Sequence, residues 1–305
     1  MSLAIVHYHL RRGGVTRVIE AQSQALTRLG IKHVILSGSP YEGSHQLPVS
    51  VLPLLEYSSR PDPLGGDPLA DSLREAATDA LGEPPALWHI HNPTLGKNFR
   101  FPAMLRTLAE AREHMLLQFH DFAEDGRPGN YRLVAGEEQL YPTAPQIHYA
   151  FINSRDRNLL IDAGLDDGRA HLLPNAITPP ELPGNGPSPP SRHTVLYPVR
   201  GIRRKNLGEF CLLAGLSPED TRFALTLAPA NPQWRPVYND WTVFAAHHRL
   251  PALFDVVGRT PPAPGVEPSY ENWLAHSTHL TTTSIAEGFG LAFLEPLALR
   301  KPLFG

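Results

Sequence analysis

A short apolar run, a helical stripe and another short apolar run recur along the whole 305-residue chain. Residues 3–9 read as a strand, 15–29 as a helix with Val18, Ala21, Ala25, Leu26 and Leu29 on one stripe, and 33–36 as the next strand. The order returns with a strand over 86–91, a helix over 102–112 and strands over 115–119 and 148–153. A helix over 154–163 follows, with Ser154 as its expected N-cap and Gly164 as its stop. Strands buried on both faces and joined by helical crossovers make a parallel sheet covered on both sides.

The rhythm breaks once, in the Pro- and Gly-rich segment TPPELPGNGPSPPSR, which has no apolar period and reads as a linker over 179–192. It then restarts: strands over 195–199, 223–227, 253–257 and 279–283, with helices over 207–215, 238–248, 270–275 and 291–300. The expectation is α/β: two Rossmann-like, doubly wound parallel-sheet domains, 1–178 and 193–305, facing a cleft. The second domain stops at an incipient strand near Pro302, so it is expected to be incomplete.

Composition narrows the partners. A net charge of −3 offers no basic field for nucleic acid, and a single cysteine excludes a disulfide framework or a multi-thiolate metal site. No apolar run is long enough to span a bilayer, and the N-terminus lacks the order of a signal peptide. A cytoplasmic protein is expected, with peripheral membrane contact left open.

The residue patterns that carry chemistry lie at strand ends. Strand 195–199 runs into Arg200, and R-x4-K ends at Lys205; cations at the carboxyl end of a parallel strand are placed to hold phosphate. Such a pair also occurs in plain solvated basic loops. After strand 279–283 comes EGFGLAFLE, with Glu287 and Glu295 eight positions apart and Gly288 and Gly290 allowing close backbone approach. Helix 291–300 would aim free N–H groups at the same spot. A capping or surface role is the plainer reading of either Glu alone. In the first half, His91 and Asn92 end one strand while His120 and Asp121 end its neighbour, so both clusters reach one sheet edge.

Together these motifs resemble the GT-B retaining glycosyltransferases of family 4. E-x7-E (Glu287, Glu295), R-x4-K (Arg200, Lys205), the pair Gly13-Gly14, FINSR at 151–155 and LPNA at 173–176 stand in that family's order over almost the whole chain. The resemblance implies a nucleoside diphosphate sugar donor on the C-terminal domain, bound by Gly13, Gly14, Arg200, Lys205, Glu287, Gly288, Phe289, Gly290 and Glu295. It implies catalytic roles for His120, Glu287, Arg200 and Lys205, with the two cations neutralising the leaving diphosphate. No metal or other cofactor is then needed, in keeping with the lack of a D-x-D motif. The acceptor would be a small or lipid-linked hydroxyl compound. A GT-B module that binds nucleotide sugar without turnover is the alternative, and an epimerase of the same fold would leave E-x7-E without a reason.

Four of the 27 basic residues are lysines, which draws attention to Lys97. Lys97 and Arg127, beside His91, Asn92, Asp121 and Asn130, are expected to grip an anionic group on the acceptor; pairing of these cations with Glu124 and Asp125 is the plainer expectation. His7, His9, His89, His91 and His120 could crowd one edge, but no H-x3-H or H-E-x2-H spacing occurs, so metal is not expected. By strand alternation, His89 is expected to point away from His91 and pack. Trp234, Trp241 and Trp273 read as core or lid aromatics, and Cys211 as a small buried hydrophobe.

Overall fold

The structure, a computed structural model, describes residues 1–58, 68–125, 127–137, 140–176, 182–183, 193–285, 294 and 297–305. The chain divides into two compact units, Met1–Ala176 and Ile177–Gly305.

The first unit runs β1 (Ser2–His7), α1 (Gly14–Arg28), β2 (Lys32–Ser37), β3 (Val49–Val51), α2 (Pro68–Leu81), β4 (Leu87–His91), α3 (Phe101–Glu110), β5 (Met115–Phe119), α4 (Pro128–Tyr131), β6 (Ile147–Phe151), α5 (Ser154–Asp162) and β7 (Ala170–Leu172). Among the described residues its strands form one parallel sheet in the order β3-β2-β1-β4-β5-β6-β7. Every residue of β1 is buried. Ala4 and Val6 enter the core with Trp88, Leu117 and Tyr149, while Leu3 and Ile5 join Ile19 and Ile35 on the opposite face. Successive side chains alternate between faces, so a strand with helices on both sides has to be apolar throughout.

The second unit runs β8 (His193–Arg200), α6 (Leu207–Leu216), β9 (Thr221–Leu227), α7 (Arg235–His247), β10 (Ala252–Leu253), α8 (Tyr270–His276), β11 (His279–Thr281) and β12 (Leu303–Phe304). Its described strands also pair in parallel, in the order β10-β9-β8-β11-β12. The strand begun at Pro302 thus forms, pairing with β11. In both sheets the order reverses beside the first strand, between β1 and β4 and between β8 and β11. Those switch points are where α/β sheets open a crevice beyond the carboxyl ends of their strands.

Several local expectations change. Asn153, and not Ser154, caps α5: its side chain accepts from the Asp156 N–H at 2.8 Å, and Gly164 follows the helix at φ 105°. Helix α2 was not foreseen, although Leu69, Leu73, Ala77 and Leu81 bury one face at four-residue spacing. Pro68 sits at its first position, where a missing N–H costs nothing, and the preceding Pro/Gly-rich stretch masked the start. Strand β10 ends at Leu253 because Asp255 turns left-handed at φ 55° and its carboxylate accepts from the Ala228 N–H at 2.8 Å. Half of the expected helix 291–300 lies outside the described residues.

Candidate functional site

At the switch point of the second unit, two loops are tied together. Strand β8 ends at Arg200 and the loop after it carries Arg204 and Lys205, while the chain after β11 continues through Thr282, Thr283 and Ser284. The Thr283 hydroxyl donates to the Lys205 carbonyl at 2.9 Å and to the Asn206 carbonyl at 3.2 Å. Tyr197, from within β8, donates to the Lys205 carbonyl at 3.2 Å and shares a 2.9 Å bond with the Ser284 hydroxyl. The Ile285 N–H closes the seam on the Arg204 carbonyl at 3.0 Å. Asn206 makes the turn possible at φ 47°, a left-handed conformation that Asn tolerates better than most residues.

Lys205 is buried by this arrangement. Burial, and then the nearby Arg204 charge, push its ammonium down to about 7. Desolvation and a neighbouring cation both disfavour the charged form of the amine, so an anion placed beside it would restore its proton. Glu287, Gly288, Phe289, Gly290 and Glu295 lie outside the described residues.

In the first unit, Gly13 precedes α1 with extended backbone and no side-chain cap. A Cβ at Gly14 would meet no atom within 4 Å and one at Gly13 only the Arg11 carbonyl at 3.8 Å. The fold's own packing therefore does not demand this glycine pair.

The strand ends of β1, β4 and β5 converge in a cluster of imidazoles. His89 and His91 stack at 4.5 Å between ring centroids, so the expectation that they point apart is wrong. Residues two apart on a strand share a face. The expectation that His89 is packed does hold, since it is buried and bonds Gln118 Oε1 at 2.8 Å. His91 Nδ1 lies 2.9 Å from His120 Nε2, and His7 packs its ring edge toward both His9 and His91. Burial drives these rings toward the neutral form: His7 and His120 fall to about 3, His89 to about 4, and His91 well below the ordinary value. No group of His, Cys, Asp and Glu among the described residues is arranged to hold a metal ion.

Asn92 organises this edge. It sits at φ 51°, and its side-chain oxygen accepts from the backbone N–H of His120 at 2.8 Å and of Asp121 at 3.2 Å. Tyr8 donates to its carbonyl at 2.8 Å.

Beside it, Arg127 ion-pairs with Asp121 at 2.6 Å and donates to the Phe122 carbonyl at 2.9 Å. The expected partners Glu124 and Asp125 are thus replaced by Asp121; Glu124 accepts from the Tyr141 hydroxyl at 2.9 Å. Lys97 lies over the Tyr57 ring at 5.2 Å, and among the described residues it has no carboxylate in ion-pair reach. Burial and the Arg127 charge lower its ammonium below the usual lysine range, so the two cations sense each other. Asn130 donates to the Leu95 carbonyl at 2.9 Å, and Gly96, at φ 66°, has the Asn130 carbonyl 2.3 Å from where a Cβ would stand. Only glycine fits there, and the contact locks the Lys97 turn against α4.

Sequence reading missed Tyr57, Gln118, Gln22 and Thr283. Gln118 carried a signal, as the one polar side chain inside MLLQF of β5; Gln22 bonds it at 2.9 Å from α1. Among the tryptophans, Trp273 is core, Trp241 packs at the core's edge and Trp234 is half-buried. Cys211 is buried, its thiol pushed up to about 11.

No known family profile matches the chain. It is 26% identical, over 96% of its length, to mannosylglucosyl-3-phosphoglycerate synthase of Petrotoga mobilis, and it spans 62% of that protein. Among solved structures it superposes with Anabaena HepE in complex with UDP and glucose (TM-score 0.66, 14% identity, 99% of this chain and 80% of that one). It superposes also with the catalytic domain of starch synthase IV from Arabidopsis thaliana bound to ADP and acarbose (TM-score 0.63, 13% identity, 99% and 82%). These likenesses give the chain the GT-B fold.

Proposed function

We propose that this chain is a glycosyltransferase that moves a sugar from a nucleoside diphosphate sugar to a hydroxyl acceptor bearing an anionic group. The observation that carries the reading is the seam between the Lys205 loop and the chain entering EGFGLAFLE, at the switch point of the second sheet. A diphosphate there would meet Arg200 and Lys205. Charge grows on the departing phosphate during transfer, and preorganised cations stabilise it more than they stabilise the bound donor.

The roles of Glu287, Gly288, Phe289, Gly290 and Glu295 on the donor sugar and ribose rest on the family resemblance, as do the retaining course and the independence of metal. UDP in HepE and ADP in starch synthase IV support a nucleotide in a fold of this kind.

On the acceptor side, the Petrotoga relative is named for a product containing phosphoglycerate, a unit with both phosphate and carboxylate. Lys97 and Arg127 suit such a group. A desolvated ammonium with no carboxylate partner among the described residues gains most from a bound anion, and a guanidinium already oriented by Asp121 can take a second oxygen.

Nucleoside diphosphate release would be assayed with UDP-, GDP- and ADP-sugars and phosphorylated or carboxylated hydroxyl acceptors. The reading expects turnover with one donor, loss of donor binding in Arg200→Ala, and a KM for acceptor raised about tenfold or more in Lys97→Ala with donor affinity unchanged. Lack of binding to every nucleotide sugar, or an Arg200→Ala variant that binds as the native protein does, would overturn it.

A further inference from the structure

We infer that His91 is a positioning residue: its Nδ1–H donates to His120 Nε2 and holds His120 in the tautomer that carries its proton on Nδ1. The two nitrogens lie 2.9 Å apart and the rings are within 12° of parallel, so the bond runs nearly in both ring planes.

The direction of that bond follows from what surrounds it. Both rings are neutral, as burial lowers each toward the uncharged form. Each imidazole therefore has one N–H and one lone pair. His91 Nε2 is buried and has no hydrogen-bond partner among the described residues. If His91 accepted from His120, its own proton would sit on Nε2 as a buried, unanswered donor. If His91 donates, only an idle lone pair remains at Nε2. Buried orphan N–H groups are rarer than under-used acceptors because a stranded donor loses its whole hydration.

The ring is also held in place. His89 stacks on it, and His89 is itself bonded to Gln118 Oε1, which accepts from Gln22 Nε2 at 2.9 Å. His7 closes the other side. His120 keeps 9% exposure, its backbone N–H is bonded to Asn92, and its Nδ1 makes no hydrogen bond with the described residues. The outward nitrogen then offers an N–H. His120 would serve a bound ligand as a hydrogen-bond donor, to a sugar hydroxyl oxygen or a phosphate oxygen, and not as a general base. The identity of that ligand rests on the function proposed above; the tautomer does not.

Long-range proton–nitrogen correlation on the full chain with 15N-labelled histidine, at neutral pH, reads the tautomer directly. His120 is assigned by its loss in His120→Gln. The expected pattern is a protonated, pyrrole-type Nδ1 and an unprotonated Nε2; the reverse pattern overturns the inference. Asn can present an amide N–H near the place of a histidine Nδ1–H, whereas Leu cannot. His91→Asn is expected to keep the His120 tautomer and kcat within about threefold of native. His91→Leu is expected to mix the tautomers and lower kcat by about tenfold or more, with KM for the donor changed much less. A Leu variant that retains the native pattern, or an Asn variant that behaves as Leu does, also overturns it. Absence of turnover in the native protein would instead count against the glycosyltransferase reading and leave the spectrum to judge the tautomer.

Discussion

The side-chain hydroxyl of Thr283 donates to the main-chain carbonyl of Lys205 at 2.9 Å, across a sequence separation of 78 residues. One bond therefore joins the loops that leave β8 and β11, and with them the two motifs that carry the donor assignment. Replacing Thr283 by Val keeps the shape and removes the bond. A net hydrogen bond contributes about 0.5–1.5 kcal/mol, so nucleoside diphosphate affinity should fall about two- to tenfold. Calorimetric titration of Thr283→Val checks it, and an unchanged affinity would show that the seam does not shape the site.

The Lys205 ammonium, held near 7 by burial and by Arg204, should take up a proton when a diphosphate binds. A bound anion raises the amine's value, so affinity is fullest below about 7 and declines as pH rises through the raised value. Titrations in buffers of different ionisation enthalpy should reveal this uptake at pH 8, and Lys205→Ala should abolish it while weakening binding by about 1.5–3 kcal/mol.

Asn92 combines a left-handed backbone with two accepted N–H bonds. Asn92→Ala strands both donors and puts at positive φ a residue that tolerates the left-handed region less well than Asn, for a loss on the order of 3 kcal/mol. Asn92→Asp retains the acceptor oxygens and should lose far less. Urea unfolding of the two variants distinguishes them; equal losses would mean that the two accepted bonds do not set the cost.

The first unit should weaken in mild acid. His7, His89 and His120 have folded values of about 3, 4 and 3 against 6.5 when unfolded. Below 6.5 the unfolded chain binds protons that the folded cluster refuses, so the stabilisation present above 6.5 is lost as pH falls toward the folded values. By pH 5 each fully buried ring would cost on the order of 2 kcal/mol. Unfolding free energy measured from pH 8 to pH 5 should drop steeply, and more shallowly in His7→Asn, which cannot titrate there.

The layers and the addresses were legible in the residue pattern. Apolar runs such as 115–119 and helical stripes such as that of α1 depend on neighbours a few residues away, so period alone identified them, and alternation then required parallel sheets. It also placed Arg200, Lys205, His91 and His120 at strand ends, since that is a matter of position along one element. Tertiary structure decided which of these side chains meet. Asp121 and not Asp125 took Arg127, His91 found His120, and Thr283 found Lys205 because β-sheet register and the left-handed turns at Asn92 and Asn206 set those distances. Such contacts join residues distant in the chain, and their geometry arises only when the strands carrying them are paired.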